Sequence, residues 1–135
     1  MRFEAKAALA VGILLPVLET CRRGLAEWAA DFTTMITDYF GGALLLAAAW
    51  AAYKDRRWAA PFLLLAWGWV AGMLINSFAD QVEGTVRGTI GEPHNALVLA
   101  VKFLLAAMAA AALIASLRHM MGSSADKQPS QETGA

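Results

Sequence analysis

The run from Trp58 to Ala79 contains no Asp, Glu, Lys or Arg, and an α-helix of that length crosses the roughly 30 Å hydrocarbon layer of a bilayer. Pro61 suits its first turn, where a missing backbone N–H costs little. A second run, Ala96 to Leu117, is interrupted by Lys102 alone and follows Glu92-Pro93-His94-Asn95, whose proline marks a helix opening. Its alanine-rich middle predicts close packing. A third run is densest from Tyr39 to Tyr53 and extends back toward Asp31, because Asp31 to Asp38 carries no helix breaker and keeps apolar residues at helical spacing. Asp38 then lies inside a helix. The shortest run, Ala7 to Leu18, attains spanning length only from Phe3 to Cys21, with Glu4, Lys6 and Glu19 near the interfaces. Pro16 removes a backbone donor near its end and should bend it.

These periods predict an all-α, polytopic integral membrane protein, a compact bundle of four transmembrane helices over about 3–21, 34–53, 58–79 and 96–117. Leu25, Trp28, Phe32 and Met35 share one face of Leu25 to Ile36, with Glu27 and Asp31 opposite, which predicts a short amphipathic interfacial helix before the second span. Residues 1–121 form the transmembrane domain, and 122–135 (GSSADKQPSQETGA) form a polar tail expected to be disordered. Basic Arg2 and Lys6 ahead of an apolar run resemble a secretory signal, but no A-x-A site follows promptly, so retention of the first segment is expected. Gly68 and Gly72, a G-x-x-x-G pair, are the candidate close-packing surface, within the chain or between copies in a homodimer.

Composition agrees with a lipid solvent. Apolar residues make up 59% and charged residues 16% of the 135, with a mean hydropathy of +0.50, against the roughly 25% charge of an ordinary soluble domain. Zero formal net charge argues against a nucleic-acid partner. The single cysteine, Cys21, forbids an internal disulfide.

Basic residues set the expected orientation. With Lys54-Asp55-Arg56-Arg57 in the cytoplasm, Arg2, Lys6, Arg118 and Lys127 fall on the same side, leaving Arg22, Arg23 and Arg87 outside. Both termini are then cytoplasmic, and a bacterial inner membrane is the expected location. Trp50 and Trp58 flank the inner loop as interface anchors, whereas Trp67 and Trp69 lie deeper as packing residues.

In this topology the costly polar groups converge toward the outer face. Helix one ends with Glu19, Thr20, Arg22 and Arg23; helix two begins with Asp31 and Asp38; helix three ends with Asn76 and Asp80; helix four begins with His94, Asn95 and Lys102. The inner loop is simply basic, with no corresponding cluster expected there. Lys102 stands roughly 10 Å along the helix from Asn95 at 1.5 Å rise per residue, and Asp38 is comparably deep. Charges at such depth demand partners, so Lys102 is expected either to pair with Asp38 or Glu19 or to snorkel to the interface. Glu19, Asp38, Asn76, Asp80 and Lys102 are the candidate ligand or ion pathway, with Arg22, Arg23, Asp31, Glu83 and His94 as secondary candidates.

Catalytic signatures are missing from the sequence. Glu83 to Gly91 (EGTVRGTIG) lacks the lysine of a phosphate loop and reads as turns, and no Ser-His-Asp or nucleophile-elbow pattern occurs. His94, near Glu92, Asp80 and Glu83, suggests cation binding or proton transfer, but no H-x-x-x-H or C-x-x-C spacing supports a metal, and none is assigned. Cys21 beside two arginines reads as inert. No cofactor is assigned. The leading expectation is binding or transport of an ion, proton or small polar solute through an outward-facing cavity. An accessory subunit packed against a membrane partner, or an enzyme acting on a lipid headgroup, are the competing expectations.

Overall fold

A computed structural model describes residues 2–91 and 93–125. The chain is all-α: α1 (Phe3–Arg23), the single turn α2 (Glu27–Ala30), α3 (Phe32–Tyr53), α4 (Ala59–Arg87) and α5 (Asn95–Ala125). The four long helices alternate in direction, α1 packing mainly on α3 and α4 mainly on α5, while α3 and α4 join the two pairs and α1 touches α5 more lightly.

Three helices, α3, α4 and α5, are long and apolar enough to cross a membrane. The first helix has the length, but it carries Glu4 and Lys6 near its start and Glu19, Arg22 and Arg23 in its last turns. Its inner face is nevertheless core: Ala5, Ala8, Val11 and Leu15 are buried with Leu45 and Ala48 of α3, Trp67 and Val70 of α4, and Ala109 and Ala112 of α5. The Trp67 indole, with no exposed surface, donates from Nε1 to the Glu4 carbonyl at 3.1 Å and ties α4 to the start of α1. Small side chains dominate these contacts, as expected where close backbone approach replaces the hydrophobic effect as the force between helices. Phe103, Leu104 and Ile114 of α5 face outward.

The tightest helix crossing lies where the glycine motif did not point. A Cβ on Gly42 would stand 2.8 Å from the Gly12 carbonyl oxygen and 3.0 Å from Pro16 Cδ, and one on Gly12 would stand 3.0 Å from the Gly42 carbonyl. Pro16 has no N–H to return to the carbonyl four residues earlier, which is that of Gly12, so the proline of α1 and the glycine of α3 form one joint. Gly68 and Gly72 are exposed, with nothing within 4 Å of a Cβ at either, so they make no close helix crossing among the described residues.

Element ends also depart from hydropathy. The fourth helix runs past Ala79 to Arg87 and stops at Gly88, a left-handed cap (φ 68°) whose N–H reaches the Thr85 carbonyl. The last helix continues through 122–125, the first residues of the segment expected to be disordered; 126–135, with Lys127, lie outside the described residues. The amphipathic stretch is not one helix: Asp31 interrupts it as the N-cap of α3, its side chain accepting the Thr34 N–H. Leu25 lies in the turn before α2 while Phe32 and Met35 belong to α3, and Leu25 and Phe32 are exposed whereas Met35 is fully buried, so these positions do not form the expected common face.

Candidate functional site

At the end of the bundle where α1 and α4 finish and α3 and α5 begin, all four long helices border one cavity of about 740 Å³. Helical spacing explains its walls. Leu15, Leu18, Glu19 and Arg22 come from one side of α1; Thr33, Thr34, Thr37 and Asp38 from α3; Asn76, Ser77, Asp80 and Gln81 from α4; Val98, Val101, Lys102 and Leu105 from α5. Three cationic side chains, Arg22, Arg23 and Lys102, face three carboxylates, Glu19, Asp38 and Asp80. The deeper lining, including Leu15, Leu74 and Leu105, is apolar.

The charges fall into two groups. Glu19 Oε1 accepts from Arg22 Nη2 at 2.6 Å and from Arg23 Nε, while Arg23 Nη1 reaches Asp31 at 2.9 Å. This relay fastens the end of α1 to the cap of α3. The Thr34 hydroxyl and amide, aided by Arg23, hold the Asp31 carboxyl below its ordinary range. Alongside it, Thr20 Oγ1 donates to the Pro16 carbonyl at 2.6 Å, which leaves the Tyr39 hydroxyl as donor in the 2.7 Å Thr20–Tyr39 contact.

The second group centres on Lys102, whose Nζ donates to Gln81 Oε1 at 2.9 Å and to the Ser77 carbonyl at 3.3 Å. Pairing with Asp38 or Glu19, or snorkelling to the interface, was expected; these two contacts are with neutral oxygens of α4, and Glu19 is engaged by the two arginines. Gln81 Nε2 donates onward to Asn95 Oδ1 at 2.8 Å, and Asn95 Nδ2 to Thr85 Oγ1 at 2.8 Å, so the amide sits between α4 and α5 with both ends used. Gln81 is only 6% exposed. Sequence reading passed over it because its segment reads as loop and its side chain carries no charge; the signal available was helical spacing continuing from Asn76 and Ser77 through Asp80 and Gln81.

All five pathway candidates, Glu19, Asp38, Asn76, Asp80 and Lys102, therefore border the same space. Asp38 is half-buried, and its carboxylate makes no direct hydrogen bond or ion pair with the described residues. Asn76 donates to Asp80 at 3.3 Å. Of the secondary candidates, Arg22 and Arg23 line the cavity and Asp31 braces Arg23, but Glu83 and His94 do not reach it. Glu83 pairs with Arg87 one turn along α4, and exposed His94 contributes its carbonyl to the Val98 N–H at the opening of α5. Glu92 lies outside the described residues. Among the described residues no group of three or more His, Cys, Asp or Glu side chains is placed to hold a metal ion.

The opposite end of the bundle is not merely basic. Glu4, Asp55 and His119 join Arg2 and Arg56 around a smaller pocket of about 280 Å³. No protein family, curated protein or solved structure matches this chain.

Proposed function

We propose that this membrane protein binds a small polar solute, a proton or a solvated ion in the 740 Å³ cavity and passes it toward the bundle interior, with the cavity opening on the outer face and both termini inside. The observation that carries this reading is the contribution of polar side chains by all four long helices to one cavity at one end. Its volume corresponds to roughly two dozen waters at about 30 Å³ each, more than a bare ion requires and within the range of small-molecule sites. Equal numbers of cationic and anionic side chains favour a solute bearing both signs or a polar neutral one. Asp38 is the group with free hydrogen-bonding capacity toward that solute, and Lys102 is positioned by Gln81 on the facing wall. The reading also assigns four crossings, a bacterial inner membrane, and a second copy packed on the outward Gly68–Gly72 face to complete a pathway that so small a chain builds poorly alone.

Protons are a suitable probe, because an ionisable pathway exchanges them whatever its solute. In proteoliposomes loaded with a pH-sensitive dye, under an imposed membrane potential, Asp38→Asn and Lys102→Gln should each lower proton entry by about ten-fold or more, the loss expected when one charge-assisted interaction is removed. Both variants should elute as the parent does on size exclusion. Entry unchanged in both would defeat the proposal.

A further inference from the structure

The smaller pocket is a second built site. It lies between the first turn of α1, the turn joining α3 to α4, and the last part of α5. Glu4 is 6% exposed, yet its carboxylate meets no hydrogen-bond or ion-pair partner among the described residues, and no such contact joins the side chains of Arg2, Asp55, Arg56 and His119 that line the pocket with it. The Trp67 indole holds the Glu4 carbonyl at 3.1 Å, which anchors the start of α1 and keeps this carboxylate at the pocket wall. A carboxylate at the pocket wall with no partner among the described residues can take a cationic donor, and the two guanidiniums lining the same pocket can grip an anion bidentately. The volume, about 280 Å³, falls just below the usual range of small-molecule sites, about 300–1,000 Å³.

Position narrows the chemistry further. The pocket is flanked by the end of α3 and the start of α4, two helices apolar enough to span, and half-exposed Trp58, a residue type that favours headgroup level, directly precedes Ala59 of its lining. We propose that this pocket binds a phosphoethanolamine group, the headgroup of an aminophospholipid, with its ammonium on Glu4 and Asp55 and its phosphate on Arg2 and Arg56. The assignment is independent of what the larger cavity carries.

The test is native mass spectrometry of the full chain released from nanodiscs of equal parts phosphatidylethanolamine and phosphatidylglycerol. The parent protein should retain phosphatidylethanolamine over phosphatidylglycerol by about ten-fold, the worth of one charge-assisted hydrogen bond. Glu4→Gln should bring the two near parity, and Arg56→Gln, at an exposed loop position that leaves the core untouched, should reduce retention of both. Displacement by free phosphoethanolamine supports a site that reads the headgroup alone; retention that resists it supports a site reading the intact lipid. Parity in the parent protein, or a preference that survives both substitutions, overturns the proposal.

Discussion

Replacing Gln81 with Leu removes the 2.9 Å acceptor of Lys102 and the donor to Asn95 together. Loss of a hydrogen bond to a charged group costs about 1.5–3 kcal/mol, so chemical denaturation in detergent should show Gln81→Leu destabilised by about that amount, while Gln81→Glu, which keeps an acceptor for the ammonium, should lose less. Asp31 gives a pH-dependent counterpart. Its carboxyl is held below the ordinary value by Thr34 and Arg23, so the stabilisation it supplies is present above the ordinary carboxyl range and is lost as pH falls through the lowered value. Thermal unfolding followed downward from about pH 5 should therefore show a larger decline for the parent protein than for Asp31→Asn, which keeps a capping side chain but has no charge to lose. At this scale the ionic members of the site were legible in the sequence, because a charged residue near an apolar run has few places to go. Gln81 was not, since a neutral amide becomes conspicuous only once its burial is known.

Between elements, Gly42 is the position where a single methyl should matter most. Gly42→Ala places a Cβ 2.8 Å from the Gly12 carbonyl and 3.0 Å from Pro16, and forcing backbone apart in a packed interface costs typically about 1–3 kcal/mol. Gly72→Ala, which meets nothing within 4 Å, should leave the unfolding midpoint of the monomer unchanged. Loss of stability in the second variant and not the first would reverse the assignment of the close crossing. The contrast has a plain cause: spacing within one helix shows which residues share a face, not which neighbour, within the chain or in another copy, that face meets. The long extension of α4 was hidden for a related reason. Hydropathy reports where apolar character ends, whereas Gln81 to Arg87, a mixed polar and apolar stretch, continue the backbone ladder until Gly88 terminates it. Asp31 divided the expected amphipathic helix because an Asp side chain satisfies orphan N–H groups at a helix start better than it continues a helix.

For the whole molecule, three long apolar helices were plain from composition and spacing, and all-α architecture followed from them. The first helix was harder to read, since its alanine-rich inner face belongs to the core while its C-terminal end carries charges that line the larger cavity. Whether α1 crosses with the others decides if that cavity has four walls beneath one membrane surface. Single cysteines at Phe3, Leu25, Arg57 and Thr89 in a Cys21→Ser background, probed with a membrane-impermeant maleimide on sealed vesicles of defined orientation, measure this directly. Leu25 and Thr89 should label from one side, Phe3 and Arg57 from the other; Phe3 and Leu25 labelling from the same side would contradict the four-crossing bundle and the site built on it.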